Sequence, residues 1–158
     1  ISIINLFLSS DHILIVKKVM KKASFKEETP KLSEELPLSI LIAEDNVINQ
    51  KLLLSILEMQ GYQPEAVADG RDVISSLNEK MVDLVLMDIQ MPEMGGEETT
   101  KLVREKFKSA APKIIAVTAY AMAGDREKYL QAGMDGYISK PFKIDDLISE
   151  IRKVMISP

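Results

Sequence analysis

Three acids, Glu44, Asp45 and Asp88, each stand at or just past the end of an uninterrupted apolar run, LSILIA over 38–43 and LVLM over 84–87. Thr118 ends a third run, within KIIAVTA over 113–119, and Lys140 with Pro141 follows GYIS at 136–139. Crowded acids repel one another and need a positive partner. A hard divalent cation such as Mg²⁺ serves, because it takes oxygen ligands and keeps several waters. Lys140 supplies a second, movable positive charge. A metal, an ammonium and a hydroxyl around one carboxylate suit phosphoryl transfer to that carboxylate. The cations would neutralise charge on the phosphoryl oxygens and Thr118 would donate a hydrogen bond to one of them. Asp88 would be the nucleophile, and an aspartyl phosphate the product.

These residues meet only if the chain between them positions them. After residue 37 the pattern alternates strictly. Strands are expected at 38–43, 64–68, 82–88, 113–119 and 136–139. Helices are expected at 46–60, 70–80, 96–107, 123–133 and 143–155. In the first helix Asn46 is a plausible N-cap, Gly61 the stop, and Ile48, Leu52, Ile56 and Met59 share one face. In the last, Ile144, Leu147, Ile148, Ile151 and Met155 share a face. Alternating βα units imply an α/β fold with a five-stranded parallel sheet covered on both faces. Such strands need no polar alternation. Active sites in these sheets lie beyond the strands' carboxyl ends, where Asp88 and its companions fall.

Taken singly, each residue has an ordinary explanation. Asp45 before a helix is a common solvated acid, Thr118 a good strand former, and Lys140 before Pro141 an exposed turn residue. Their shared placement at one end of one sheet is what carries the reading. A cis Lys140–Pro141 bond would direct the lysine inward.

The segments ILIAEDNVINQ (40–50), LVLMDIQMPEMGG (84–96), IIAVTAYAMAGD (114–125) and GYISKPF (136–142) occur in that order. In them the chain resembles a response-regulator receiver domain, most like the receivers attached to hybrid sensor histidine kinases. The resemblance covers residues 38 to about 155. It implies a flavodoxin-like (βα)5 fold, doubly wound, with strand order 2-1-3-4-5. It makes Asp88 the phosphoacceptor and sets Glu44 and Asp45 around Mg²⁺, Asp45 directly and Glu44 through water. The backbone carbonyl of Gln90 completes the protein's ligands. Thr118 becomes the switch hydroxyl, Lys140 the phosphate-binding cation and Tyr137 the switch aromatic; Gln90 and Tyr120 flank the site and tune dephosphorylation. The implied partner is a histidine kinase or a histidine phosphotransfer domain. The implied mechanism is a population shift between conformers, read out on the face formed by the helix at 123–133, the strand at 136–139 and the helix at 143–155. The domain itself is then a phosphoacceptor switch with its own phosphorylation and dephosphorylation chemistry, and a parent protein would be a histidine kinase.

Three other readings compete. A haloacid-dehalogenase-type phosphatase also uses a strand-end Asp with Mg²⁺, but needs a second acid two residues on, where this chain has Gln90. A phosphorylation-independent pseudo-receiver is disfavoured by the complete set of acids with Thr118 and Lys140. A flavodoxin-type cofactor binder would need a phosphate-cradling loop where this chain has AEDNVIN.

Composition fits a globular domain, with 46% apolar and 28% charged residues. The absence of cysteine excludes disulfides and thiolate metal sites. A net charge of −4 disfavours a general nucleic-acid surface. No apolar stretch reaches the roughly 20 residues of a membrane span, so no direct membrane insertion is expected. Residues 24–39, with Pro30 and Pro37, read as a linker. The expected division is an upstream segment and linker over 1–36 and a receiver domain over 37–158. The upstream segment holds HILIVKKVMKKASF (12–25), an amphipathic helix or a strand with a short helix. His12, the only histidine, reads as a surface or structural residue. The chain starts at Ile1 without a signal-peptide pattern, as expected for a fragment or a processed chain, and the upstream segment is expected to be the end of an upstream region of a hybrid kinase with its tether. The expected location is cytoplasmic, with any membrane anchor outside this chain. With the fold expected complete by residue 155, no DNA-binding output domain is expected.

Overall fold

The computed structural model describes residues 30–119 and 124–156. The readings of residues 12–25, His12 and Tyr120 lie outside the described residues. Five strands, β1 (Ile40–Ala43), β2 (Glu65–Val67), β3 (Leu84–Asp88), β4 (Lys113–Thr118) and β5 (Gly136–Ser139), form one sheet in the order β2-β1-β3-β4-β5. All four pairings are parallel. This is the doubly wound flavodoxin-like order expected from the sequence. Among the described residues six α-helices accompany the strands: α1 (Leu32–Glu35), α2 (Val47–Met59), α3 (Gly70–Glu79), α4 (Gly96–Phe107), α5 (Asp125–Gln131) and α6 (Ile144–Ile156).

Side chains along a strand alternate between faces, and here both faces are buried. Ile40, Ile42, Leu84, Leu86, Ile115 and Val117 pack with Leu53, Ile56 and Leu57 of α2 and Leu147, Ile151 and Val154 of α6. Leu41, Ala43, Val85, Met87, Ile114 and Ala116 pack with Val73 and Leu77 of α3, Val103 of α4 and Tyr129 of α5. The central strands are apolar on both faces because helices cover both.

Of the face shared by Ile48, Leu52, Ile56 and Met59, only Ile56 is buried. Ile48, Leu52 and Met59 are 78%, 53% and 64% exposed, and the buried residues are Leu53, Ile56 and Leu57. The helix carries apolar residues nearly all round, so spacing alone admits two stripes. Polar groups choose between them. Asn49 Nδ2 donates to Glu44 Oε1 at 3.0 Å, and Gln50 Nε2 donates to the Glu44 carbonyl at 3.2 Å. Residues 49, 50, 53, 56 and 57 lie on one helical face, so these bonds turn Leu53, Ile56 and Leu57 inward. The N-cap is as expected, with Asn46 Oδ1 accepting from the amides of Ile48 and Asn49. Gly61, at φ +87°, ends the helix in a conformation that L side chains avoid. In α6, Leu147 and Ile151 are buried as expected and Ile148 and Met155 partly so, while Ile144 is exposed.

Residues 31–36, read as the end of a linker, instead belong to the compact unit that begins at Lys31. The reason is a few well-placed contacts within a polar segment. Leu32 of α1 is buried in the core shared by α2 and α6. The Ser33 amide donates to the Gln60 carbonyl at 3.1 Å. Arg152 Nη2 pairs with Glu35 at 2.7 Å. The Tyr62 hydroxyl donates to the Leu36 carbonyl at 2.8 Å.

Burial, then the nearby Glu35 charge, push the Tyr62 phenol up to about 12, against the smaller opposing pull of Arg152. The fold thus favours the neutral phenol. The sign follows: this stability is complete below the unfolded tyrosine value of about 10, and is lost as pH rises toward the folded value. Tyr62→Phe should cost about 1 kcal/mol at pH 7 by removing one hydrogen bond. Between pH 9 and 11 the wild type should lose about 1 kcal/mol more than the variant. Urea unfolding of both proteins at the three pH values checks this. Parallel pH profiles would contradict it.

Candidate functional site

The parallel register brings four strand ends to one edge. Ala43 pairs with Met87, Asp88 with Val117, and Thr118 with Ser139. Glu44, Asp88, Thr118 and Lys140 therefore emerge side by side. Carboxylate oxygens of Glu44, Asp45 and Asp88 all lie within 4.8 Å of one another. Glu44 is only 1% exposed, Asp88 and Thr118 are buried, and Asp45 is exposed at the mouth.

Lys140 Nζ joins the acids, 2.5 Å from Glu44 Oε2 and 2.9 Å from Asp88 Oδ2. Burial works against its ammonium. The hydrogen bonds and charges of Asp88 and Glu44 outweigh that cost and raise its pKa above the usual lysine value. The Lys140–Pro141 bond is cis. Asp88 is held from its other oxygen, where the Gln90 amide donates to Oδ1 at 3.0 Å. Gly96 backs it: a Cβ there would stand 2.3 Å from the Asp88 carbonyl oxygen. The carboxylate thus sits on a strand fixed by core packing, with backbone pressed against it from behind.

Each residue named for the site from the sequence, apart from Tyr120, is among the described residues. Glu44, Asp45, Asp88 and Lys140 form one cluster, and Gln90 joins it through its amide. Thr118 is at the adjoining strand end. Tyr137 lies on the β5 side, stacked on Tyr129 at 5.7 Å between ring centroids. Sequence reasoning missed Asn49 and Gln50, which fasten Glu44. Two adjacent amides in the first turns of an otherwise apolar helix were the available signal. It also missed Tyr129, whose place inside an amphipathic helix looked like ordinary core.

The acid cluster fits a divalent cation by its chemistry. It offers only carboxylate oxygens, with one acid exposed to water and two fixed by neighbours. An ammonium already bridging two of the acids shows that the pocket stabilises positive charge.

Residues 40–152 match the family model described as the response regulator receiver domain. The chain belongs to that family. It is 38% identical over 120 residues to the polar-differentiation response regulator DivK of Brucella anthropi, covering 76% of this chain and 98% of that protein. It is 40% identical over 124 residues to hybrid signal transduction histidine kinase H of Dictyostelium discoideum, there covering 76% of this chain but 9% of that much longer protein. Among solved structures, the receiver domain of sensor histidine kinase PA1611 from Pseudomonas aeruginosa is 38% identical, with a TM-score of 0.69 over 76% of this chain and 98% of that one. That structure holds a magnesium ion coordinated in its active-site cleft. The chemotaxis protein CheY4 of Vibrio cholerae, 25% identical, has a TM-score of 0.68 over 73% of this chain and 97% of that one. The chain is thus a receiver domain of two-component signalling, a class that interacts with histidine kinases or phosphotransfer partners. Among the described residues no helix is long and apolar enough to cross a membrane.

Proposed function

We propose that this receiver accepts a phosphoryl group on Asp88 from a partner's phosphohistidine, and that Thr118 and Tyr137 convert the event into a change of interaction face. The observation that carries the proposal is the Lys140 ammonium bonded to both Glu44 and Asp88 at the carboxyl edge of the sheet. In the transfer, an Asp88 carboxylate oxygen attacks phosphorus. The P–N bond to the donor histidine breaks, and the imidazole leaves with its electron pair and takes up a proton. The product is an acyl phosphate, and Lys140, freed from Asp88, pairs with a phosphoryl oxygen. Glu44, Asp45 and Asp88, with the Gln90 carbonyl, would hold Mg²⁺, which when bound supplies charge that offsets the phosphoryl oxygens. Thr118 donates a hydrogen bond to a phosphoryl oxygen, and Tyr137 follows it inward. Incubation with a ³²P-labelled histidine phosphotransfer protein tests the reading. Label should move to this chain and be released by hydroxylamine, as an acyl phosphate is. Label that stays on the donor would contradict it.

The exposed apolar residues of α2 fit the donor's approach. Val47, Ile48 and Leu52 start beside the acids, and a cavity of about 420 Å³ lined by Leu52, Leu53, Phe142 and Lys140 adjoins them. Leu52→Glu should slow transfer from the protein donor by roughly tenfold or more, as loss of a central interface contact does. Uptake from a small-molecule phosphodonor should stay within about twofold of wild type, since the chemistry is intact. Equal slowing with both donors would contradict this docking role.

A further inference from the structure

The three acids of the cluster are held to different degrees. Asp45 is exposed at the mouth. Asp88 is bonded by the Gln90 amide and by Lys140. Glu44 is the most tightly held, with both carboxylate oxygens engaged. Its Oε1 accepts from Asn49 Nδ2 at 3.0 Å and from the Asn46 amide at 3.3 Å, and its Oε2 accepts from Lys140 Nζ. The Asn46 contact is the longer, so Asn49 is the main restraint on Oε1. Gln50, the next residue of α2, grips a different part of the same acid. Its Nε2 donates to the Glu44 carbonyl at 3.2 Å and to the Val67 carbonyl at 3.4 Å, so it anchors backbone and leaves the carboxylate alone.

We infer that Asn49 is a specificity-determining residue for the cation: by tying back the Glu44 carboxylate it limits the oxygens offered by the cluster and so favours Mg²⁺ over Ca²⁺. The inference rests on the cation reading of the three acids above. Mg²⁺ is small, keeps several waters and needs only one or two carboxylates, whereas Ca²⁺ takes more oxygens and accepts carboxylates bidentately. Selectivity between them therefore follows the number and freedom of the ligands. A cluster with one acid tied back offers few oxygens. With the Asn49 amide gone, the Glu44 carboxylate can turn and add its oxygens to those of Asp45 and Asp88, which suits the larger ion. Asn49 touches the acid and is not itself among the acids, so it tunes which ion is held without supplying the charge that holds it.

Titration calorimetry of the full chain with MgCl₂ and with CaCl₂ tests this on wild type, Asn49→Ala and Gln50→Ala. Wild type should bind Mg²⁺ more tightly than Ca²⁺. Asn49→Ala places a good helix former in α2, so the helix is kept. The ratio of the two affinities should shift toward Ca²⁺ by about tenfold in that variant, the scale on which outer partners of a metal ligand act. Gln50→Ala should leave the ratio unchanged, because its bonds are to carbonyls. In a Glu44→Ala background, Asn49→Ala should have no further effect on the ratio, a result that a role in packing alone would not produce. Equal weakening of both ions in Asn49→Ala, the same shift in Gln50→Ala, or a wild type with no preference for Mg²⁺ would overturn the inference. Failure of wild type to bind either ion would instead overturn the cation reading of the acids, and this inference with it.

Discussion

Asp88→Asn should abolish phosphoryl uptake while leaving the fold intact. The amide is nearly the same size, and its carbonyl oxygen can keep the hydrogen bond from the Gln90 amide. What it loses is the anionic nucleophile. It also places an NH₂ group toward Lys140, where Asp88 Oδ2 accepted a bond at 2.9 Å. Lys140 retains Glu44, so the ammonium is not orphaned. Thermal unfolding should therefore differ from wild type by only about 1 kcal/mol, the net worth of one altered hydrogen bond. Mg²⁺ affinity should fall by at least about tenfold, since even the outer partners of metal ligands cost that much when removed. Titration calorimetry with Mg²⁺, alongside unfolding curves, checks both parts. A variant that unfolds early would show that Asp88 is structural first.

Lys140→Met should be the most destabilising single change in the site. Glu44 is buried, and its bond to Lys140 is the shortest ion pair of the cluster. Asn49 and the Asn46 amide would still donate to Glu44, but neither carries charge. Two adjacent carboxylates would remain with no cation between them. Removing one partner of a buried pair costs about 3–5 kcal/mol. The wild-type ammonium is favoured by the fold, so its contribution is complete below the unfolded lysine value of about 10.4 and fades only above it. At pH 7.5 the full loss should appear in urea unfolding with chelator present. Mg²⁺ should restore part of it, because a cation that binds only the folded acids stabilises by mass action. The variant should keep measurable Mg²⁺ binding yet fail to reach the activated conformer. Equal losses with chelator and with Mg²⁺ would contradict the placement of the lysine among the metal's acids.

The sheet order and the acid cluster were legible because each rests on a strong pattern. Apolar runs such as LVLM before Asp88 signal strands buried on both faces, and strict alternation with helices leaves few topologies. The rotation of α2 was not legible, since Leu52 and Leu53 are equally apolar. Only the bonds from Asn49 and Gln50 to Glu44 decide which of them is buried. The docking of α1 was hidden for another reason. One leucine, Leu32, and one tyrosine hydroxyl anchor a segment whose composition is that of a linker. Tyr129 could not be singled out, because a tyrosine inside a helix is ordinary core until its ring is seen stacked on Tyr137.

Intact-mass spectrometry of the chain after incubation with acetyl phosphate, with and without Mg²⁺, tests the phosphoacceptor assignment most directly when followed by borohydride reduction and peptide mapping. The expected result is a gain of one phosphoryl group that requires Mg²⁺, with the reduced residue mapped to Asp88 and no gain in Asp88→Asn. A phosphoryl group mapped elsewhere, or the same gain in Asp88→Asn, would contradict it.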